Sequence, residues 1–145
     1  MEGFDFAQVP GSYDIEPLDV GEYTGISFWG WAAEPFPDAP LTIQVHFPNV
    51  DTQWGDKDAT CYSPEYNSRQ CDDFYDEVSL TQEWTQYFIP WDKLHQSRDE
   101  WSPPQVRFVE FDKHVNAVSF IAIGGRPGIM SQPFDFCISH IYFTR

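Results

Sequence analysis

The sequence predicts an all-β fold, a sandwich of two antiparallel sheets. Three observations carry that expectation. Short runs rich in Val, Ile, Phe, Tyr and Trp recur along the chain, bounded by Pro, Gly, Asn and Asp. Twelve prolines fall largely in the connections between them. Helical periodicity is scarce: WDKLHQSRDEW, from Trp91, has the best 3.6-residue spacing and spans about two turns.

Taken in order, strands are expected at Gly3 to Gln8, Tyr23 to Ala32, Leu41 to Phe47, Glu77 to Leu80, Thr85 to Pro90, Ala117 to Gly124 and Phe134 to Thr144. In LTIQVHF, Leu41, Ile43, Val45 and Phe47 share one face while Thr42, Gln44 and His46 share the other, the pattern of a half-buried strand. SFIAIGG is apolar on both faces and reads as a central strand. In GISFWGW, Ile26 and Phe28 face one way, and Ser27, Trp29 and Trp31 face the other.

Length and charge bound the rest. A chain of 145 residues suits one domain, residues 1–145, with one core. It is 41% apolar and 18% aromatic, enough for a packed interior despite a net charge of -15. That charge repels phosphate backbones and anionic lipid, so nucleic acid is not an expected partner. The longest apolar run, VSFIAIGG, falls well short of the roughly 20 residues that span a bilayer, so no membrane insertion is expected. The N-terminal MEGFDFAQVPGSYD lacks the pattern of a secretory signal.

Of three cysteines, Cys61 and Cys71 flank the polar loop YSPEYNSRQ. They read as a disulfide closing a surface excursion, worth roughly 2.5 to 3 kcal/mol in the loop-entropy picture. Two unpaired surface thiols are the alternative. A bridge implies an oxidising compartment and hence an exported protein. Cys137, inside FDFCISHIYF, is expected to be a buried free thiol. The Pro48 to Asp76 connection around the pair is the longest in the chain, which points to a function or to a need for tying down.

The aromatic face is the first candidate for chemistry. Trp29 and Trp31, with Gln44 and His46 on the next strand, expected to pair with theirs or to lie beside it, would present rings and hydrogen-bonding groups together. Such a surface recognises sugars: C–H faces stack on the rings and amides and imidazoles meet hydroxyls. The alternative is that loops cover both indoles as a second small core. Tyr87 and Trp84 fall on opposite faces of their strand, so only one can join; Tyr87 is taken as the fifth binding residue. Glu110 and Asp112 form the most suggestive acid pair, but so acidic a chain produces that spacing by chance. The four histidines show no metal-ligand spacing, and Asp56 and Asp58 lack the glycine and closing Glu of a calcium loop. GxSxG, P-loop and GxGxxG motifs are absent.

Three motifs in order then resemble galactose-binding-like jelly-roll domains, close to the family 11 carbohydrate-binding modules of bacterial extracellular proteins. Tyr23, Gly25, Ile26, Phe28 and Trp29 match a Y-x-G-I-x-F-W strand. Trp84, Tyr87, Ile89, Pro90, Trp91 and Leu94 match a W-x-x-y-x-i-P-w/f-x-x-L strand. Phe134, Asp135, Phe136, Ile138, Ile141 and Phe143 match a closing F-D-f-x-I-d-d-I-x-F strand. The likeness runs from Asp19 to Arg145, and a paired-cysteine loop before Phe74 also fits it. It implies that the chain lacks the start of its N-terminal strand. Where related modules carry an acidic pair in the last strand, often near a structural calcium, this chain has Ser139 and His140.

The resemblance implies a non-catalytic, extracellular or cell-surface module that binds a polysaccharide or other glycan. No cofactor is expected, apart from a structural calcium that the resemblance admits. One alternative is a structural, adhesion or filament subunit that uses the same face for protein–protein contact; self-assembly or attachment to a larger parent protein is the partner reading that goes with it. A small glycoside hydrolase ranks last.

Overall fold

The alternation in LTIQVHF becomes a strand whose residues are buried at every odd position and half-buried at every even one. Such strands need a second layer, and the chain supplies it by sending consecutive strands to opposite sheets. The computed structural model describes residues 2–5, 17–33, 40–49, 52, 62–63, 68–69, 73–96, 111, 113–123 and 135–145. Its strands are β1 (Glu2–Asp5), β2 (Leu18–Asp19), β3 (Gly25–Ala32), β4 (Leu41–Phe47), β5 (Tyr62–Ser63) and β6 (Ser68–Arg69). They continue as β7 (Phe74–Leu80), β8 (Thr85–Pro90), β9 (His114–Val115), β10 (Ala117–Ala122) and β11 (Phe136–Thr144).

Two antiparallel sheets result. One has the order β1-β10-β4-β7 and the other β11-β3-β8, with two-residue pairs β2-β9 and β5-β6 beside them. The connections β3 to β4, β7 to β8 and β10 to β11 all pass from one sheet to the other. This is a β-sandwich with jelly-roll character, as the strand pattern predicts.

The core lies between the sheets. Ile26, Phe28 and Ala32 of β3 meet Leu41, Ile43, Val45 and Phe47 of β4, Val118 and Phe120 of β10, Leu80 of β7 and Ile89 of β8. Phe28 links the layers: its ring stacks on Tyr87 of its own sheet at 5.5 Å and meets Phe120 of the other edge-on at 5.2 Å. Gly30 is the inward position where a side chain would intrude, since a Cβ would stand 2.8 Å from Leu80 Cδ2 across the sandwich.

Several sequence expectations move. The two turns of helix expected from Trp91 reduce to a 3-10 turn, Trp91–Lys93, after which His95 bridges to Tyr75 of β7. The Trp91 ring goes into the core against Phe47, which fixes that face, and paired backbone hydrogen bonds with Tyr75 draw His95 out of any helical path. β7 starts three residues earlier than expected, at Phe74. Cys137 is exposed, because alternation sends it outward between the inward Phe136 and Ile138. The Cys61 to Cys71 pair, Asp56, Asp58, Glu110 and Asp112 lie outside the described residues.

Strand β11 breaks its own alternation. Phe136 and Ile138 pack against the core, and so do Ile141 and Phe143, three residues on rather than two. The register against β3 shifts between Ser139 and Tyr142, a β-bulge centred on His140, whose φ of 50° is left-handed.

Candidate functional site

Once Ile26 and Phe28 are committed to the core, period two sends Ser27, Trp29 and Trp31 to the outer face of the three-stranded sheet. Trp29 is 38% exposed, while Trp31 is half-buried. The same rule, applied to β4, sends Gln44 and His46 to the outer face of the four-stranded sheet. β3 pairs with β8 and β11, and β4 with β7 and β10. The two indoles therefore point away from Gln44 and His46 across the whole sandwich, which corrects the expectation that the two strands pair. Alternation tells which residues face out; it does not tell from which sheet.

Tyr87 faces inward, the second correction. Its ring lies on Phe28, its hydroxyl donates to the Ser79 carbonyl at 3.2 Å, and it accepts from the Thr81 amide at 3.2 Å. Trp84 takes the outward place instead, on the same side as Gln86 and Phe88, and is 50% exposed. The turn that carries it is held by Thr81, whose hydroxyl bonds the Glu83 carbonyl at 2.8 Å and the Thr85 hydroxyl at 2.9 Å. The Ala32 amide donates to the Thr81 carbonyl at 2.9 Å, fastening the turn to the end of β3.

Trp29 and Trp84 line an open depression of about 490 Å³ together with Ser139 and His140. The last two come from the bulge: Ser139 stands opposite Trp29 in the register, and its hydroxyl is hydrogen-bonded to His140 Nδ1. The bulge delivers two adjacent polar side chains to one rim, where a regular strand would turn one of them inward. Sequence reading set Trp84 aside in favour of Tyr87, although its match in parity with Gln86 and Phe88, opposite to the core residue Ile89, was a usable signal. The three-residue step from Ile138 to Ile141 was the signal for the bulge.

The other outer face is a hydrogen-bonded ladder. Gln44 Nε2 donates to Glu77 Oε1 at 3.0 Å, so Gln44 Oε1 is left to accept from His46 Nε2 at 3.0 Å, which fixes that tautomer. The His46 ring stacks on Tyr75 at 5.0 Å, and Tyr75 meets His95 at 4.4 Å. Burial holds the His46 imidazole below its ordinary pKa, so it is neutral near pH 7. Among the described residues no cluster of three or more His, Cys, Asp or Glu could hold a metal ion. No helix among them is long and apolar enough to cross a membrane.

No protein-family model matches the chain, and no curated protein matches it. Among solved structures the chain is similar to the family 11 carbohydrate-binding module of the cellulosomal cellulase Lic26A-Cel5E of Clostridium thermocellum, with a TM-score of 0.51 at 12% identity. The match covers 87% of this chain and 60% of that one, so this chain spans about three-fifths of its length. At that identity the likeness is one of fold: the chain has the β-sandwich fold of a family 11 carbohydrate-binding module.

Proposed function

We propose that the chain is a non-catalytic module that binds a glycan on the outer face of the three-stranded sheet. The observation that carries this reading is the pair of exposed indoles, Trp29 and Trp84, on one open depression with Ser139 and His140. The indoles supply apolar faces for sugar C–H groups, and the hydroxyl and imidazole supply partners for sugar hydroxyls. The solved module of similar fold, named as carbohydrate-binding, supports the same reading. The setting that goes with it is extracellular, as one part of a larger protein. Trp31 flanks the site on the same strand; Gln44, His46 and Tyr87 take no part in it.

Binding to a glycan-array hit tests the proposal. Trp29→Ala and Trp84→Ala should each cost about 1.5–3 kcal/mol of affinity, roughly tenfold to a hundredfold. Both rings are exposed, so the thermal midpoint should hardly move. Glycan binding unchanged in both variants would refute it. So would a wild-type chain that binds no glycan and assembles by light scattering, which favours the reading of this face as a protein contact.

A further inference from the structure

We infer that the same face, with its open depression, is a two-dimensional array, or plate, of rings fitted to the surface of an assembled, uncharged polysaccharide, where many chains lie side by side, rather than to one soluble chain. The inference rests on the proposed glycan function and adds the physical form of the ligand and two further binding residues, Phe88 and Tyr142.

Four of the exposed large apolar side chains share this face: Trp29, Trp84, Phe88 at 48% and Tyr142 at 45%. They do not form a line. Phe88 of β8 and Tyr142 of β11 flank Ser27 of β3 on its two sides, about 10 Å apart at the backbone. Trp29 stands two residues, about 7 Å, further along β3, and Trp84 lies beyond it just before β8. A single chain one sugar wide can follow only one row of rings. An array spread along and across the strands matches a surface.

Phe88 and Tyr142 also lie down. A Cβ at Gly25 would come within 2.7 and 2.9 Å of two Phe88 ring atoms, so that ring rests over the Gly25 backbone instead of standing off the sheet. Gln86 donates to the Tyr142 hydroxyl although their strands are separated by β3, so both side chains must lean across the sheet to meet. Ser27, outward by alternation, is only 4% exposed because this layer covers it. At Phe88 and Tyr142 the plate is thus made of recumbent rings with polar edges. None of the residues of β3, β8 and β11 is Asp, Glu, Lys or Arg, in a chain that is 21% charged. An acidic polysaccharide would find no counter-charge on these three strands and would meet a net charge of -15. An uncharged surface meets neither problem.

The test compares retention of the full chain on microcrystalline cellulose, insoluble chitin and insoluble mannan with its binding to the soluble hexasaccharide of each. Retention on at least one insoluble form is expected, unchanged between low and high salt, with the matching hexasaccharide competing poorly. Phe88→Ala with Tyr142→Ala should lower retention roughly tenfold or more, while Phe88→Tyr and Tyr142→Phe, which keep both rings, should restore it. Full competition by the hexasaccharide would overturn the plate and leave the Trp29 and Trp84 site standing. So would a folded alanine pair that is retained like wild type, or retention that salt abolishes. No binding to either form would overturn the plate, and an empty glycan array beside it would sink the Trp29 and Trp84 site as well.

Discussion

The two outer faces of the sandwich use the same backbone rule to opposite ends. On the four-stranded sheet the outward residues of β4 and β7 bond one another: Glu77, Gln44 and His46 form one chain, and Tyr75 closes over the imidazole. Their polar capacity is largely spent within the protein. On the three-stranded sheet the outward residues are rings that cover glycine and serine, with their open sides in water. Their apolar area is unspent, and an exposed apolar patch of this kind marks a contact surface. Counting polar groups on a strand therefore misleads about binding; what matters is whether they already have partners.

The contrast can be broken most severely at Gly25. A Cβ there would stand 2.2 Å from the Ile89 carbonyl and under 3 Å from the Phe88 ring. Gly25→Ala should destabilise by about 1–3 kcal/mol in denaturant unfolding, the usual cost of overpacking. It should also lift Phe88 off the sheet and weaken glycan retention. Smaller is Gln44→Ala, which cuts the ladder on the opposite face. It should cost about 0.5–1.5 kcal/mol and leave glycan binding as in wild type; a loss of binding would show that the two faces are not independent.

The smallest effect is pH dependence at His46. Its folded pKa lies below the unfolded value, because burial penalises the charged ring. Below about pH 6.5 the unfolded chain takes up a proton that the native state resists, so the stability contributed by the neutral ring is present above that pH and lost as the pH falls. His46→Gln should flatten the fall in thermal midpoint between about pH 7.5 and 5.5. A variant with the wild-type slope would assign the fall to another group.

Much of the fold was legible because burial imposes a period. Leu41 to Phe47 and Thr85 to Pro90 occupy the expected strands, and Ile26 and Phe28 are core. The site was legible only in part. Trp29 and Trp31 share a face, as period two requires, yet Gln44 and His46 could not be placed beside them, since strand-to-sheet assignment depends on which way a connection crosses. Cys137 and Tyr142 sit in a run so apolar that hydropathy cannot say which residues face out. Trp84 lies one residue before β8 and keeps the parity of Gln86 and Phe88, but only the structure shows that this outward side of β8 is the one shared with Trp29.

The bulge at His140 has a consequence for how this chain can change. Strand β11 is written in two reading frames, one before His140 with even residues inward and one after it with odd residues inward. Losing the extra residue at the splice would shorten the three-residue step from Ile138 to Ile141 to the ordinary two, so Ile141 and Phe143 would stay inward and the rim would lose one of its two adjacent polar side chains. The polar rim beside Trp29 is therefore tied to chain length at a single point, whereas the Tyr142 edge of the plate is not. Substitutions along the strand are local events, whereas a deletion there would straighten the strand and remove the paired polar rim while leaving its outward and inward faces as they are.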